Sequence, residues 1–314
     1  MAESYDNRIS LHKLEVFCLV VELGGVSRAA EHLIVAQPVV SAHIHTLQER
    51  LGVKLLYREG HAMKLTDEGQ RVYRWASETL SRTRELVREL DGIAEGQRGS
   101  VAIAASMTVG SYLLPPLLSR LRRERPGARI TLSISDPEGA VEAVERGDSD
   151  FAVLVGKAPA NQGKIAAEEI GSVEIVLVAA PDFMPELSEI SVADLGGLPL
   201  ISSPAGHIRR SLIDDQLAAR GVSPRDIVIE LGHPEAMKRA TLEGLGLCLL
   251  FRASVGAELE RGELRTIAID DAAMTVPLLT MVREGKRLSP VQSEVLEAVR
   301  EGAAERWDRE HEAV

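Results

Sequence analysis

VAQPVVSAHIHTLQ, residues 35–48, places two histidines one residue apart behind a proline and a β-branched pair. Read as a helix opening at Gln37, it carries Val40, Ile44, Leu47 and Leu51 at spacings of four, three and four, and Gly52 ends the pattern. At 100° per residue, Pro38, Ala42, His45, Thr46 and Glu49 lie opposite that apolar face, with Gln37 and Ser41 on its flank. Pro38 belongs in the first turn, where its missing N–H costs nothing. The H-x-H pair is not a metal motif on this reading. Residues i and i+2 point about 200° apart, whereas a shared metal wants i and i+4. His43 falls at the edge of the buried face and His45 points outward.

Working outward, LHKLEVFCLVVELG has Leu14, Phe17, Leu19, Val20 and Val21 on one wide helical face and stops at Gly24-Gly25. SRAAEHLIV follows, with Ser27 expected as its N-cap. Three short helices with tight turns thus fill about forty residues. VKLLYREGHAMKLTDEG reads as a small hairpin around a glycine turn. Thr66 then caps a long helix whose first turn holds Asp67 and Glu68, where the helix dipole favours acids. Val72, Ala76, Thr79, Thr83, Leu86 and Leu90 form a weak heptad seam along it, suited to pairing with a second helix or to packing on its own domain. EGQRGS, residues 95–100, is polar and glycine-rich and reads as a hinge.

Beyond the hinge the texture changes. VAIAAS, ITLSIS, FAVLVG, VEIVLVAA, PLISS, IVIEL, LCLLF and TVPLLTMV alternate with helical segments, closing on VQSEVLEAVREGAAERW. This alternation indicates α/β units in two lobes, with strands covered on both faces.

The 314 residues suffice for two or three domains, and 45% apolar with 26% charged residues describes an ordinary globular chain. MAESYDNRIS lacks the pattern of a secretory signal and no 18-residue apolar run occurs, so a cytoplasmic location is expected. Cys18 and Cys248 sit in separate apolar segments and read as buried free thiols. The net charge of −11 argues against a protein that merely coats nucleic acid, though not against a small DNA reader on an acidic body. The chain shows no nucleophile elbow, phosphate loop or metal-ligand cluster, so no enzyme class and no cofactor or metal are expected. A transport solute-binding protein would share the two lobes but would carry a signal peptide in place of residues 11–69.

Over essentially its whole length the chain resembles the LysR-type transcriptional regulators. The resemblance is densest in LEVFCLVVELGGVSRAAEHLIVAQPVVSAHIHTLQERLGVKLLYREGHAMKLTDEG, with landmarks at Arg28-Ala29-Ala30, Gln37-Pro38, Leu47, Leu51-Gly52, Arg58 and Leu65-Thr66 before Gly69. It implies a mainly α winged helix-turn-helix N-terminal domain plus an α/β two-lobed, periplasmic-binding-protein-like effector domain. The expected boundaries are 1–68 for DNA binding, 69–97 for a dimerising linker helix and hinge, and 98–314 for effector binding. Lobe I is expected at about 98–171 with 275–314, and lobe II at about 172–274.

On this reading, Gln37 pairs with an adenine edge, Pro38 packs on a thymine methyl, and Ser41 meets a base or phosphate. Ser27, Arg28, Ala42 and His45 complete the DNA face, and Arg58 and Lys64 at the wing are phosphate partners. Ala42 and His45 stand where the family often has arginine. Residues 1–70 carry seven Lys+Arg (8, 13, 28, 50, 54, 58, 64) against nine Asp+Glu (3, 6, 15, 22, 31, 49, 59, 67, 68), a balance of −2. A shallow salt dependence of DNA binding is therefore expected, with some tightening below about pH 6.5 as exposed histidine charges.

For the effector, Ser106 and Thr108 at a strand-to-helix junction offer hydroxyls and N–H groups to an anion, although plain capping would need no ligand. SSPAGHIRR, residues 202–210, aligns with a Gly-Ser-Gly-Thr-Arg run in a family branch that includes regulators of carbon-fixation and sulfur operons. It contributes Ser203, His207 and Arg209. LGHPEAMKRATLEGLGLCLLF resembles the same branch and contributes His233 and Glu235. Asp136 follows the second strand. The implied partners are a pseudo-palindromic duplex operator, a small-molecule effector, further copies of the chain in a homodimer or homotetramer, and RNA polymerase.

Overall fold

A computed structural model describes residues 9–59, 62–94, 99–157, 165–222, 226–269 and 274–311. The described residues fall into two compact units, one within Met1–Arg98 and Glu142–Ser149, the other within Gly99–Val141 and Asp150–Val314. The expected hinge at 95–100 lies mostly outside the described residues.

The first unit opens with α1 (Leu11–Glu22), α2 (Val26–Leu33) and α3 (Gln37–Leu51). Leu14, Phe17, Val20, Ala29, Val40, Ile44 and Leu47 form its core. Each of the larger side chains contributes about 1.5–3 kcal/mol by leaving water. Gly52 closes α3 in the left-handed conformation (φ 69°). The hairpin follows as β1 (Leu56–Glu59) and β2 (Ala62–Leu65), antiparallel from Leu56 opposite Leu65 to Glu59 opposite Ala62. α4 (Asp67–Ala94) is a single long helix. Thr66 caps it as expected: the Gly69 N–H donates to its Oγ1 at 2.9 Å while that hydroxyl donates to the Lys54 carbonyl at 2.6 Å.

Two local expectations change. Ser27 is not the cap of α2, because the helix begins at Val26 behind Gly25, whose missing side chain leaves the end without a side-chain cap. The α4 seam also divides in two. Val72 and Ala76 pack into the unit's own core, and Thr79 and Thr83 bond back to the carbonyls of Trp75 and Thr79 at 2.8 Å. Leu86, Val87 and Leu90 remain exposed.

The second unit is built on a ten-stranded sheet. β4 (Arg129–Ser135), β3 (Ser100–Ser106) and β5 (Phe151–Val155) are parallel at one end. β10 (Leu247–Phe251), β8 (Leu200–Ser202) and β9 (Ile227–Glu230) are parallel at the other. Between them, β6 (Ile165–Ala179) and β12 (Met274–Arg283) run antiparallel through the whole unit. Leu278 pairs with Gly171 but Leu279 with Glu169, so Ile170 is the extra residue of a bulge beside Gly171 at φ 153°. Short β7 (Glu189–Ile190) and β11 (Arg265–Ile269) extend the β6 edge, and neither was anticipated from the sequence.

Helices α5 (Leu114–Glu124), α6 (Pro137–Glu145), α7 (Ile208–Ala218), α8 (Pro234–Leu242), α9 (Gly256–Glu260) and α10 (Pro290–His311) complete the chain. The largest apolar cluster gathers Ile103, Phe151, Leu177, Leu200, Leu217, Leu247, Val276 and Val299, and a smaller one packs Val178, Ile201, Met237 and Leu250. Cys18 and Cys248 are buried free thiols, and burial pushes the Cys248 thiol up to about 12. Among the described residues no helix is long and apolar enough to cross a membrane.

Candidate functional site

The first candidate surface lies on α3 and its approaches. Gln37, Pro38, Ser41, Ala42 and His45 are exposed, whereas Val40, Ile44 and Leu47 are buried, as the periodicity requires. The Ser27 hydroxyl donates to Gln37 Oε1 at 3.4 Å, so α2 orients that amide from outside its own helix. Arg28 folds back, its Nη2 donating to the Gly24 carbonyl at 3.2 Å. His45 Nδ1 stands 3.3 Å from Glu49 one turn on.

His43 is half-buried, edge-on to His12 with ring centroids 5.0 Å apart. Desolvation first, then His12 and Lys13, hold its imidazole below the ordinary histidine range. At the wing, Arg58 is exposed on β1, while Lys64 is paired with Glu59 on the facing strand. That hydrogen bond and the carboxylate charge behind it hold the ammonium above its usual value.

Sequence reading missed Gln48. Its Oε1 accepts the Leu55 N–H at 2.8 Å and the Leu56 N–H at 3.4 Å, tying the end of α3 to the start of the hairpin. A helical glutamine eight residues before a strand gives no signal in one dimension.

The second site is a cavity of about 480 Å³ where both parallel strand groups end. Open α/β sheets bind ligands at such carboxyl ends. Ser106 comes from β3, Asp136 from the turn after β4, Val155 from β5, Ser203 from the loop after β8, and Phe251 from β10. Thr108 and Arg209 meet across the cavity, the guanidinium Nη2 donating to Thr108 Oγ1 at 3.1 Å. The same guanidinium lies 4.7 Å from the centre of the Phe251 ring, and burial lowers its pKa. Its Nη1 is buried with no hydrogen-bond partner, an orphaned donor on a side chain that lines the cavity.

Neither hydroxyl acts as a helix cap. The chain after β3 enters a π-helical turn at Val109–Leu113 whose N-cap Thr108 makes no side-chain capping bond, and Ser106 Oγ accepts the Val155 N–H at 3.3 Å. Asp136 does cap: its Oδ1 accepts the Gly139 N–H at 2.7 Å. Ser203 donates to Met237 Sδ at 3.5 Å, and His207 lines the cavity at the exposed start of α7.

His233 and Glu235 are not in the cavity lining, which takes Gly232 and Pro234 instead. His233 Nδ1 caps α8 by accepting the Glu235 N–H at 3.2 Å. Glu235 accepts from the Tyr112 hydroxyl and pairs with Lys238 at 2.8 Å. Arg210 was also missed. It bonds Asp214, the Ser203 carbonyl and Glu230 at 2.9 to 3.3 Å, pinning the cavity loop to α7 and β9. Among the described residues no cluster could hold a metal ion.

A winged helix-turn-helix and an α/β unit with a polar cleft at its strand ends define a DNA-binding regulator with an effector-binding domain. Residues 11–70 match the model of the bacterial regulatory helix-turn-helix protein, lysR family, and residues 94–304 match that of the LysR substrate binding domain. The chain belongs to the LysR family of transcriptional regulators. It is 30% identical over 298 residues to the RuBisCO operon transcriptional regulator of Allochromatium vinosum, covering 94% of this chain and 97% of that one. It is likewise 30% identical to the uncharacterized HTH-type transcriptional regulator YeiE of Escherichia coli K12, over 93% of this chain and 95% of YeiE. In fold it is similar to full-length CbnR complexed with its target DNA, with a TM-score of 0.58, 22% identity, and coverage of 94% of this chain and all (100%) of that chain.

Proposed function

We propose that this chain is a ligand-responsive transcriptional regulator whose cleft takes a small anionic metabolite. It acts in the cytoplasm as a dimer or tetramer on a pseudo-palindromic operator, without catalysing a reaction. The exposed Leu86, Val87 and Leu90 on α4 supply an apolar face for a second copy, and 30% identity to a carbon-fixation regulator favours that branch of the family. In this reading, Gln37, Pro38, Ser41, Ala42 and His45 face the major groove, with Ser27, Arg28, Arg58 and Lys64 towards the backbone. Effector binding shifts the cleft between more and less closed states and so the placement of paired reading helices.

The observation that carries the effector reading is the orphaned Arg209 Nη1, buried over Phe251 and joined through its other nitrogen to Thr108. Leaving a buried donor unsatisfied costs about 1–3 kcal/mol, which an incoming carboxylate or phosphate oxygen would recover. Ser106, Ser203 and His207 supply further polar contacts, and Asp136 at the rim discriminates against highly charged anions.

The test is a thermal-shift screen of small mono- and dianions against the full-length protein. A ligand at 100 times its Kd raises stability by about 2.7 kcal/mol. Arg209→Met is expected to weaken any hit by tenfold or more, the loss of one charge-assisted hydrogen bond. A hit whose affinity survives Arg209→Met, Thr108→Ala and His207→Ala together would place the effector elsewhere.

A further inference from the structure

Lys238 is buried on α8, and its charge is matched by its neighbours. Its Nζ lies 2.8 Å from Glu235 Oε1, 3.0 Å from Glu258 Oε1 and 3.1 Å from the Ser254 carbonyl. Those acceptors take up the three donors of an ammonium group. The ring of Tyr112 is centred 5.3 Å from the same nitrogen, and the Tyr112 hydroxyl donates to Glu235. Tyr112 belongs to the π-helical turn that follows β3, in the first group of parallel strands, whereas α8 connects β9 and β10 of the second. The cluster therefore ties the two strand groups together.

Tyr112, Glu235 and Lys238 do not line the cavity, but two short paths lead there. The Ser254 hydroxyl donates to the Phe251 carbonyl at 2.7 Å, and the Arg209 guanidinium packs on the Phe251 ring. On the other side, Tyr112 stands four residues beyond Thr108, the cap of its own turn, which accepts from that guanidinium. The contacts close a ring that begins and ends at Arg209. A π-helical turn is rare and is frequently found at functional sites; here it carries Thr108 to one partner and Tyr112 to another.

We infer that Tyr112, Glu235 and Lys238 are positioning residues for effector binding: they latch the π-helical turn across the two strand groups and so hold Thr108 against Arg209, in the geometry that leaves Nη1 unsatisfied. The inference rests on Arg209 being the anion contact, and adds to that reading the residues outside the cavity that set its affinity. A guanidinium released from Thr108 can turn its donors to water, and an incoming anion then recovers less. The tie itself is a charge-assisted bond from a hydroxyl to a carboxylate, which is among the stronger side-chain hydrogen bonds.

Tyr112→Phe removes the hydroxyl and keeps the ring beside Lys238. Full-length wild type and variant would be titrated with inorganic phosphate at constant ionic strength, with binding read from the rise in melting temperature. Tyr112→Phe is expected to weaken phosphate binding about tenfold, the loss of one charge-assisted hydrogen bond, and Glu235→Ala to do the same from the other partner. In a Thr108→Ala background the effect of Tyr112→Phe should shrink to under about twofold, because Thr108 is the link to Arg209. Hydrogen exchange reads the latch without any ligand: the amides of residues 108–113 should exchange about tenfold faster in Tyr112→Phe than in the wild type. Unchanged exchange in the turn, an effect undiminished by Thr108→Ala, or unaltered phosphate affinity in Tyr112→Phe while Arg209→Met abolishes it, would overturn the latch and leave the anion site standing. A wild type that phosphate does not stabilise, or a phosphate effect that survives Arg209→Met, would instead remove the anion site and the latch with it.

Discussion

The two units handle polar chemistry in opposite ways. In residues 9–94 the described buried side chains are apolar except for Ser81, and Gln37, Ser41, His45, Arg58 and Lys64 stand at the surface. The α/β unit instead buries Asp150, Lys238 and Arg283 and leaves the Arg209 Nη1 donor unsatisfied beside a cavity. A surface that reads a large polyanion needs only a rigid apolar scaffold behind it, because its partner supplies the other half of each contact. A cleft that senses a small molecule must hold charge away from water, where an added oxygen changes the energy most.

The contrast breaks most sharply at Lys286, whose Nζ lies 2.9 Å from Asp150 Oδ1 with both side chains almost fully buried. Asp150 also accepts the Ala102 N–H at 2.7 Å, which fastens β5 to β3. Lys286→Met is expected to destabilise the α/β unit by about 3–5 kcal/mol, since it takes the ammonium away from a buried carboxylate. Neutralising the exposed Lys64–Glu59 pair should leave the unfolding midpoint nearly unchanged. Urea unfolding of the two variants gives the comparison, and equal losses would mean that burial does not separate the units.

A smaller effect tests the rigidity of the reading unit. A Cβ on Gly69 would stand 2.0 Å from the Leu55 carbonyl oxygen, so α4 can approach the hairpin only through glycine. Gly69→Ala should cost about 1–3 kcal/mol and weaken DNA binding with it, whereas Gly25→Ala, where nothing lies within 4 Å of the added carbon, should leave this packing intact. Thermal unfolding and operator titration of both variants check this.

The smallest effect is in pH. His43 holds its proton less tightly in the folded unit than in the unfolded chain, because of desolvation and its neighbours His12 and Lys13. The unfolded state therefore binds more protons, and His43's contribution to stability declines as pH falls through about 6.5 and below. A wild-type melting temperature that drops more between pH 7.5 and 5.5 than that of His43→Gln is the expected result, and parallel curves would sink it.

Much of the first unit was legible because its rules are local. The four-three-four spacing of Val40, Ile44, Leu47 and Leu51 set the face of α3, Pro38 its opening and Gly52 its end. The same arithmetic dissolved the apparent H-x-H metal motif. It erred at Ser27, because the cap of α2 is Gly25, two residues earlier, and along α4, where one periodic seam serves two surfaces. In the α/β unit most strands showed as apolar runs, but two-residue β7 lacked the length to stand out, and β11, whose sequence RTIAI opens on two polar residues, lacked the apolar run. His233 and Glu235, which family resemblance put near the cleft, flank the cavity-lining Pro234 while they cap and brace α8.

The sequence by itself determined which side chains each helix turns inward, that the chain joins a DNA-reading module to an α/β module, and which family it belongs to. Periodicity, helix ends and motif order are properties of neighbouring residues. Only the tertiary structure decided that Ser27 meets Gln37, that Gln48 ties α3 to the hairpin, and that Arg209 meets Thr108 101 residues away. Those pairings depend on where strand ends and helix faces converge, and convergence in space follows from packing the whole sheet, which no local window of sequence contains.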